Sequence, residues 1–222
     1  MKNLPRTPSK LGLTITIACL VLFIALTAYV ITHQMNSIDT GFSQYLQTQP
    51  WAKPLLYVNT IFASSAFRLL YLLLLGILIT QKRYRFGLLI SLALASEIVT
   101  TIIKDIIGRP RPTAPLVEIF EHRPTFSYIS GHGLEHLLLF GMLGYFVLRT
   151  GKNTSLKYIV AGLFFLEPVL VGLGRVYVGA HWLTDVLGSY LLGIAILIPL
   201  LSYFRDAAGT SIYTTKPRKH EE

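Results

Sequence analysis

The sequence predicts an all-α fold, a polytopic membrane helical bundle with six transmembrane helices, and three observations carry that prediction. Of 222 residues, 52% are hydrophobic and only 14% charged, and the mean hydropathy is +0.54. A soluble domain carries about 25% charged residues, so this chain lacks the polar surface to face water all round. Six apolar runs lie near the roughly 17–25 residues that cross a bilayer as a helix. Lys and Arg sit in short clusters between those runs. A net charge of +9 would suit nucleic acid only if the cations formed a stripe on a folded face. The soluble and nucleic-acid-binding classes are therefore excluded. Cys19, the single cysteine, lies inside an apolar run, which excludes an intrachain disulfide and a cysteine-based zinc cluster.

The first run, 11–31, carries no charge and follows Lys2, Arg6 and Lys10. Its start resembles a secretory signal, but it exceeds a signal's apolar region of about 7–15 residues and no small-x-small site follows, so an uncleaved first span is expected. The next runs are 55–79, 86–104, about 132–149, 156–173 and 182–204. The fourth is the weakest, because His132, Glu135 and His136 crowd its start. The longest connection, 105–131, is rich in Pro and charge, and long loops in compact proteins are often functional. One membrane domain over 1–205 is expected, followed by a polar, disordered tail over 206–222.

Positive charge orients the spans. With both termini cytoplasmic, the inner segments hold Lys2, Arg6 and Lys10; Lys82, Arg83 and Arg85; Arg149, Lys152 and Lys157; and Arg205, Lys216, Arg218 and Lys219. The outer segments hold fewer, namely Lys53, Lys104, Arg109, Arg111, Arg123 and Arg175. Those outer cations run against the rule and call for a reason.

Three outward clusters supply one. KDIIGRPRP closes the third span with Lys104 and Arg111, SYISGHG opens the fourth with Ser130, Gly131 and His132, and GRVYVGAHWLTD joins the fifth to the sixth with Arg175, His181 and Asp185. On this topology all three lie at one membrane boundary. Lys104, Arg111 and Arg175 lack a matching set of carboxylates; an Arg fork suits phosphate oxygens and Lys acts as a point charge. Ser130 and Gly131 at a helix start offer a hydroxyl and free backbone N–H groups, an arrangement that favours anions. His181 and Asp185, spaced i,i+4, share one helical face. The carboxylate can fix the imidazole tautomer and leave the other nitrogen free to attack phosphorus, while His132 protonates the departing oxygen. Acid–base help contributes only ~10²–10⁴, so the three cations must supply much of the remaining acceleration of phosphate-ester hydrolysis.

Each cluster alone has a plainer reading. Lys104 and Arg111 also fit interfacial anchors, Ser130-Gly131 a loop and helix cap, and His181 with Asp185 a structural pair. Their joint occurrence at one boundary favours the phosphate site.

The residues Lys104-x6-Arg111-Pro112, Ile129-Ser130-Gly131-His132 and Gly174-Arg175-x5-His181-x3-Asp185 resemble the signatures K-x6-R-P, P-S-G-H and S-R-x5-H-x3-D of the type 2 phosphatidic acid phosphatase family. These are integral-membrane lipid phosphatases related to vanadium haloperoxidases. The resemblance spans about 86–204 by motif and the whole chain by its six-span plan. It implies that His181 is the nucleophile and forms a phosphohistidine, that Asp185 orients it, and that His132 is general acid and then base. It further implies that Lys104, Arg111, Ser130, Gly131 and Arg175 hold the phosphoryl oxygens, and that no metal or other cofactor is needed. The implied partners are a lipid phosphate substrate and the bilayer, with the site on the extracytoplasmic face of a bacterial plasma membrane. Undecaprenyl diphosphate, phosphatidylglycerol phosphate and phosphatidic acid are the substrates to consider. Two positions depart from the signatures. Ile129 replaces a proline and loses its φ constraint, and Gly174 replaces a serine whose hydroxyl would support the phosphate shell.

Arg68, Glu97, Glu135, His136 and Glu167 lie within spans, where a charge at mid-span costs about 2.5–3.5 kcal/mol on insertion scales. Pairing of Arg68 with Glu97 is expected, and Glu135 either lines the headgroup pocket or pairs structurally. Glu167-Pro168 predicts a kink. Asn153-Thr154-Ser155 fits a glycosylation pattern but falls on the inner side. Three rivals remain at this level: a lipid phosphotransferase that shares the phosphohistidine, a non-enzymatic phospholipid-binding or transport protein, and an inactive relative.

Overall fold

A computed structural model of the chain describes residues 8–82, 84–149 and 154–209. Among the described residues the structure is all-helical: α1 (Lys10–Thr32), α2 (Ser37–Thr48), a 3-10 turn (Pro50–Ala52), α3 (Pro54–Phe62), α4 (Ser65–Thr80), α5 (Tyr84–Ile107), α6 (Gly131–Arg149), α7 (Ser155–Tyr177) and α8 (Leu183–Gly209). Four of these, α1, α6, α7 and α8, are long and apolar enough to cross a membrane, and the bent stretch from Pro50 to Thr80 adds a fifth if it is taken as one span. α5 has 24 residues.

The expected run 55–79 is therefore two helices meeting at 47° rather than one. The cause is local. The Ala63 N–H closes α3 on the Asn59 carbonyl (2.9 Å), and the Ser64 hydroxyl oxygen accepts the Phe67 N–H (3.2 Å) to start α4. A serine in that role begins a new helix in place of continuing the old one. The connection before it contains α2, which the search for apolar runs passes over because a 12-residue polar helix cannot span. Asn36 caps α2 by accepting the Asp39 N–H (2.9 Å). At the other end α8 continues to Gly209, past the expected limit of 204. Residues 210–222 of the expected tail lie outside the described residues, as does Asn153 of the glycosylation pattern.

α6 is the hub, packed by α5, α7 and α8, while α1 lies outside against α8 and α3 against α7. Leu134, Leu138, Leu139 and Met142 of α6 are buried with Tyr71, Ile90 and Leu197 from its neighbours. The outward face is apolar as well; on α1, Leu11 is 70% and Ile24 66% exposed. Such extended exposed apolar surface is far beyond what a water-soluble monomer carries and fits helices whose outer faces meet lipid. Pro168 stands inside α7, and its carbonyl accepts the Tyr190 hydroxyl from α8 (2.5 Å).

Candidate active site

The ends of α5, α6, α7 and α8 that carry the three motifs meet at one side of the bundle, under the segment 108–130. Backbone bonds draw them together. The Ser130 N–H donates to the Asp185 carbonyl (3.2 Å) and the Ser127 N–H to the Arg109 carbonyl (2.9 Å). α2 pins the same segment from outside, with Gln47 Nε2 donating to the Glu118 and Tyr177 carbonyls (both 2.9 Å).

His181 sits in the turn between α7 and α8. That turn requires Gly179, whose φ is +69° and whose added Cβ would lie 2.4 Å from the Glu118 carbonyl oxygen. A side chain there meets both strain and backbone. The His181 ring is 2% exposed. Its Nδ1 lies 3.4 Å from Asp185 Oδ2 and its Nε2 lies 3.3 Å from Arg111 Nη1. Since Arg can only donate, Nε2 is the lone-pair nitrogen and Nδ1 carries the proton toward the carboxylate. Burial, with the charges of Arg111, Arg175 and Lys104, pushes the His181 pKa well below its ordinary value. The imidazole is neutral at pH 7 and its lone pair is available.

Asp185 Oδ2 also accepts the Trp182 N–H (2.9 Å), as an acidic residue does at a helix start. Its Oδ1 accepts from Arg109 Nη1 (2.5 Å). His132 occupies the first turn of α6, its ring centroid 6.3 Å from that of His136.

The cations differ in how they are engaged. Lys104 is 7% exposed and, among the described residues, makes neither a hydrogen bond nor an ion pair. Arg175 is 1% exposed; its Nη1 donates to Glu121 Oε2 (2.7 Å) and Asn59 Oδ1 (2.8 Å), while its buried Nε has no partner. Arg111 is fully occupied. Nε donates to the Thr125 carbonyl (2.6 Å), Nη1 to the Ala180 carbonyl (2.5 Å) and to His181, and Nη2 to Thr125 Oγ1 (2.8 Å) and the Phe126 carbonyl (3.0 Å). Burial and the Arg175 charge lower its pKa to about 10, which leaves it a cation at neutral pH. Ser130 Oγ accepts the Gly133 N–H (3.2 Å), so it caps α6 and keeps one proton to donate. A Cβ at Gly131 would lie 2.9 Å from Glu97 Oε2.

The remaining polar residues pair as follows. Arg68 Nη2 reaches Glu97 (3.1 Å), as expected, and Glu135 (3.3 Å). Glu135 is 1% exposed and is turned to that ion pair. His136 Nδ1 meets Glu167 Oε1 (2.7 Å).

Sequence reasoning passed over Asn59, Glu121, Asp39 and Arg109. Arg109 had a signal in its R-P-R-P setting, and Asp39 had one in the N-x-x-D cap, but neither announces a long-range partner. Gly174 is explained by the fold. A Cβ there would come within 3.2 Å of the Leu55 carbonyl oxygen and 3.4 Å of Asn59 Cβ, so α3 occupies the side where a serine would project. Asn59 of α3 supplies the polar contact to Arg175 in its place.

The PAP2 superfamily model matches residues 84–208. The chain is 31% identical over 187 residues to phosphatidylglycerophosphatase B of Bacillus subtilis (strain 168), covering 80% of this chain and 89% of that protein. It is 30% identical over 104 residues to lipid phosphate phosphatase delta of Arabidopsis thaliana (43% and 25% covered). It is 38% identical over 79 residues to the undecaprenyl-diphosphatase of Sulfolobus acidocaldarius (34% and 32% covered). Its fold is similar to the crystal structure of the transmembrane PAP2 type phosphatidylglycerolphosphate phosphatase from Bacillus subtilis, with a TM-score of 0.70, 26% identity, and 86% and 96% of the two chains covered.

Proposed function

The chain belongs to the PAP2 superfamily and is an integral-membrane lipid phosphate phosphatase, and from that premise we propose a metal-independent mechanism through a phosphohistidine. The observation that supports it most directly is the set of buried cations around a neutral His181: Lys104 without a partner and Arg175 with an orphaned Nε. Buried polar donors left without a hydrogen-bond partner are costly, and the anionic oxygens of a phosphoryl group would satisfy them.

His181 Nε2 attacks phosphorus as the Arg111 Nη1 proton turns from Nε2 to a phosphoryl oxygen. The ester P–O bond breaks, and His132, which enters the step as an imidazolium stabilised by the negative charge of the bound phosphate, donates that proton to the departing alkoxide and becomes neutral. His132 then takes a proton from water, the hydroxide attacks phosphorus, the P–N bond breaks, and inorganic phosphate leaves with His181 restored. Asp185 orients Nδ1–H and offsets the positive charge that develops on the ring. Lys104, Arg111, Ser130, Gly131 and Arg175 stabilise the charge spreading over the oxygens of the transition state.

The bundle crosses the membrane six times in this reading, with α3 and α4 forming one bent span and α5 another, as one domain over 1–205 with a polar tail over 206–222. Both termini are cytoplasmic and the site faces outward in a bacterial plasma membrane. Phosphatidylglycerol phosphate is the first substrate, because the relative that covers 89% of its own length is named for it; undecaprenyl diphosphate and phosphatidic acid complete the panel. The test is phosphate release from these three lipids in detergent by the wild type and by His181→Ala. Loss of release, and of the acid-labile phosphoenzyme, is expected in the variant. Equal release from both proteins would overturn the nucleophile.

A further inference from the structure

Behind the catalytic face the structure holds a closed chain of charge. Arg109 is 0% exposed. Its Nη1 donates to Asp185 Oδ1 (2.5 Å) and Thr184 Oγ1 (2.7 Å), its Nη2 to Asp39 Oδ2 (2.6 Å), and its Nε to the Gln34 carbonyl (3.0 Å). Asp39, 1% exposed, also accepts the Thr184 N–H at Oδ1 (2.9 Å) and the Thr184 hydroxyl at Oδ2 (2.7 Å). The Arg109 guanidinium lies 5.9 Å from the centre of the Trp182 ring. Asp39 belongs to α2, outside residues 84–208 that the family model covers.

We propose that Arg109 and Asp39 are positioning residues for the nucleophile, a relay Asp39–Arg109–Asp185–His181 that sets both the direction and the effective charge of the Asp185 carboxylate. The inference rests on the mechanism above. With His181 neutral at rest, the buried Asp185 needs a cation elsewhere, and Arg109 is the guanidinium bonded to it. A full salt bridge on Oδ1 would by itself draw charge away from Oδ2, the oxygen that faces His181. Asp39 opposes that pull from the far side of the same guanidinium. Each end of the relay therefore moves the basicity of His181 in the opposite sense. The other charged groups acting on His181, namely Arg111 from the loop, Lys104 from α5, His132 from α6 and Arg175 from α7, are left unsubstituted in the relay variants.

The test compares Asp39→Asn, Arg109→Gln and Arg109→Lys with the wild type and with His181→Ala, each purified in detergent and checked for folding by thermal melting. Expected is a fall in kcat of about 10- to 100-fold, the size typical of groups that orient a reacting ligand, with KM for the lipid within threefold. The acid limb of kcat/KM, which reports loss of neutral His181, moves to lower pH in Asp39→Asn and to higher pH in Arg109→Gln. Arg109→Lys recovers part of kcat. Charges of opposite sign shift a nearby histidine oppositely through space alone, so the kcat loss carries the distinction: a pair that only holds the fold leaves kcat of the folded variants within twofold of wild type. Kcat within twofold of wild type in folded Asp39→Asn, shifts of one sign or none, or failure of all three variants to fold would each overturn the proposal. If His181→Ala keeps its activity, the nucleophile assignment fails instead, so the two failures are distinguishable.

Discussion

Glu121 Oε2 accepts a hydrogen bond from Arg175 Nη1 at 2.7 Å, and the same guanidinium keeps a buried Nε with no partner. One edge of Arg175 is thus anchored by a carboxylate and by Asn59, and in the proposed mechanism the free Nε donates to the phosphate. Burial alone would raise the Glu121 pKa, but the Arg175 charge and hydrogen bonds from Asn59, Arg175 and Arg123 bring it down to about 2. A carboxylate with a depressed folded pKa contributes stability that is complete above its unfolded value and is lost as pH falls through the folded one. Stability is therefore expected to decline between about pH 4.5 and about pH 2, and Glu121→Gln to flatten that decline. Melting temperatures across this range check it.

Lys104 sets function against stability. Its side chain is buried and makes no direct hydrogen bond or ion pair among the described residues, Glu97 and Asp185 acting on its charge only from a distance, so Lys104→Met removes a charge without a direct partner and fills similar volume. The variant is expected to melt at or above the wild-type temperature. It is also expected to lose roughly 10²–10³ in kcat/KM, the scale for losing one group that stabilises transition-state charge. Vanadate inhibition should weaken with it. Unchanged kcat/KM would remove Lys104 from the phosphate site.

Gly174→Ser restores the residue of the family signature and is nevertheless expected to harm this chain. The new Cβ meets the Leu55 carbonyl oxygen at 3.2 Å and Asn59 Cβ at 3.4 Å, so α3 must move by a few tenths of an ångström. A cost of about 1–3 kcal/mol follows for overpacking, with a higher KM as Asn59 withdraws from Arg175. Thermal melting and steady-state kinetics read both.

His181 provides a second pH test. Its folded pKa lies well below the ordinary value because of burial and three nearby cations. The sign is that of a histidine buried neutral: below about pH 6.5 the unfolded chain takes up a proton that the folded one refuses, and stability falls with pH until the folded pKa is reached. On the proposed mechanism the neutral His181 ring is the reacting form, so loss of its lone pair should give no acid limb at pH 6.5. An acid limb centred at 6.5 and assigned to His181 would contradict the depressed pKa that burial and the three cations give it.

Much of the candidate site was legible in the sequence because its parts are local. His181 and Asp185 are one helical turn apart, Ser130 opens α6, and the runs bearing Lys104 and Arg175 end at the same side of the bundle. The spacing did not reveal how each cation is spent. Arg111 reads as a phosphate clamp, yet all its donors are engaged with the loop at Thr125 and Phe126, the turn at Ala180, and His181. Arg109 reads as one more outer basic residue, yet it is fully buried between two aspartates. The bend between α3 and α4 was invisible to hydropathy, since Ser64 and Ser65 are small polar residues that barely interrupt a long apolar run.

By itself the sequence determined the solvent and the family: apolar runs of bilayer length demand lipid, and Lys, Arg, His and Asp in these motifs bring the groups that the proposed phosphoryl transfer needs. Only the tertiary structure decided which charges cancel and which stay open. Hydropathy and motif spacing are properties of neighbouring residues. The balance of a buried charge depends on distances between residues far apart in the chain, such as Asp39 and Arg109 or Asn59 and Arg175, and those distances exist only after the helices pack.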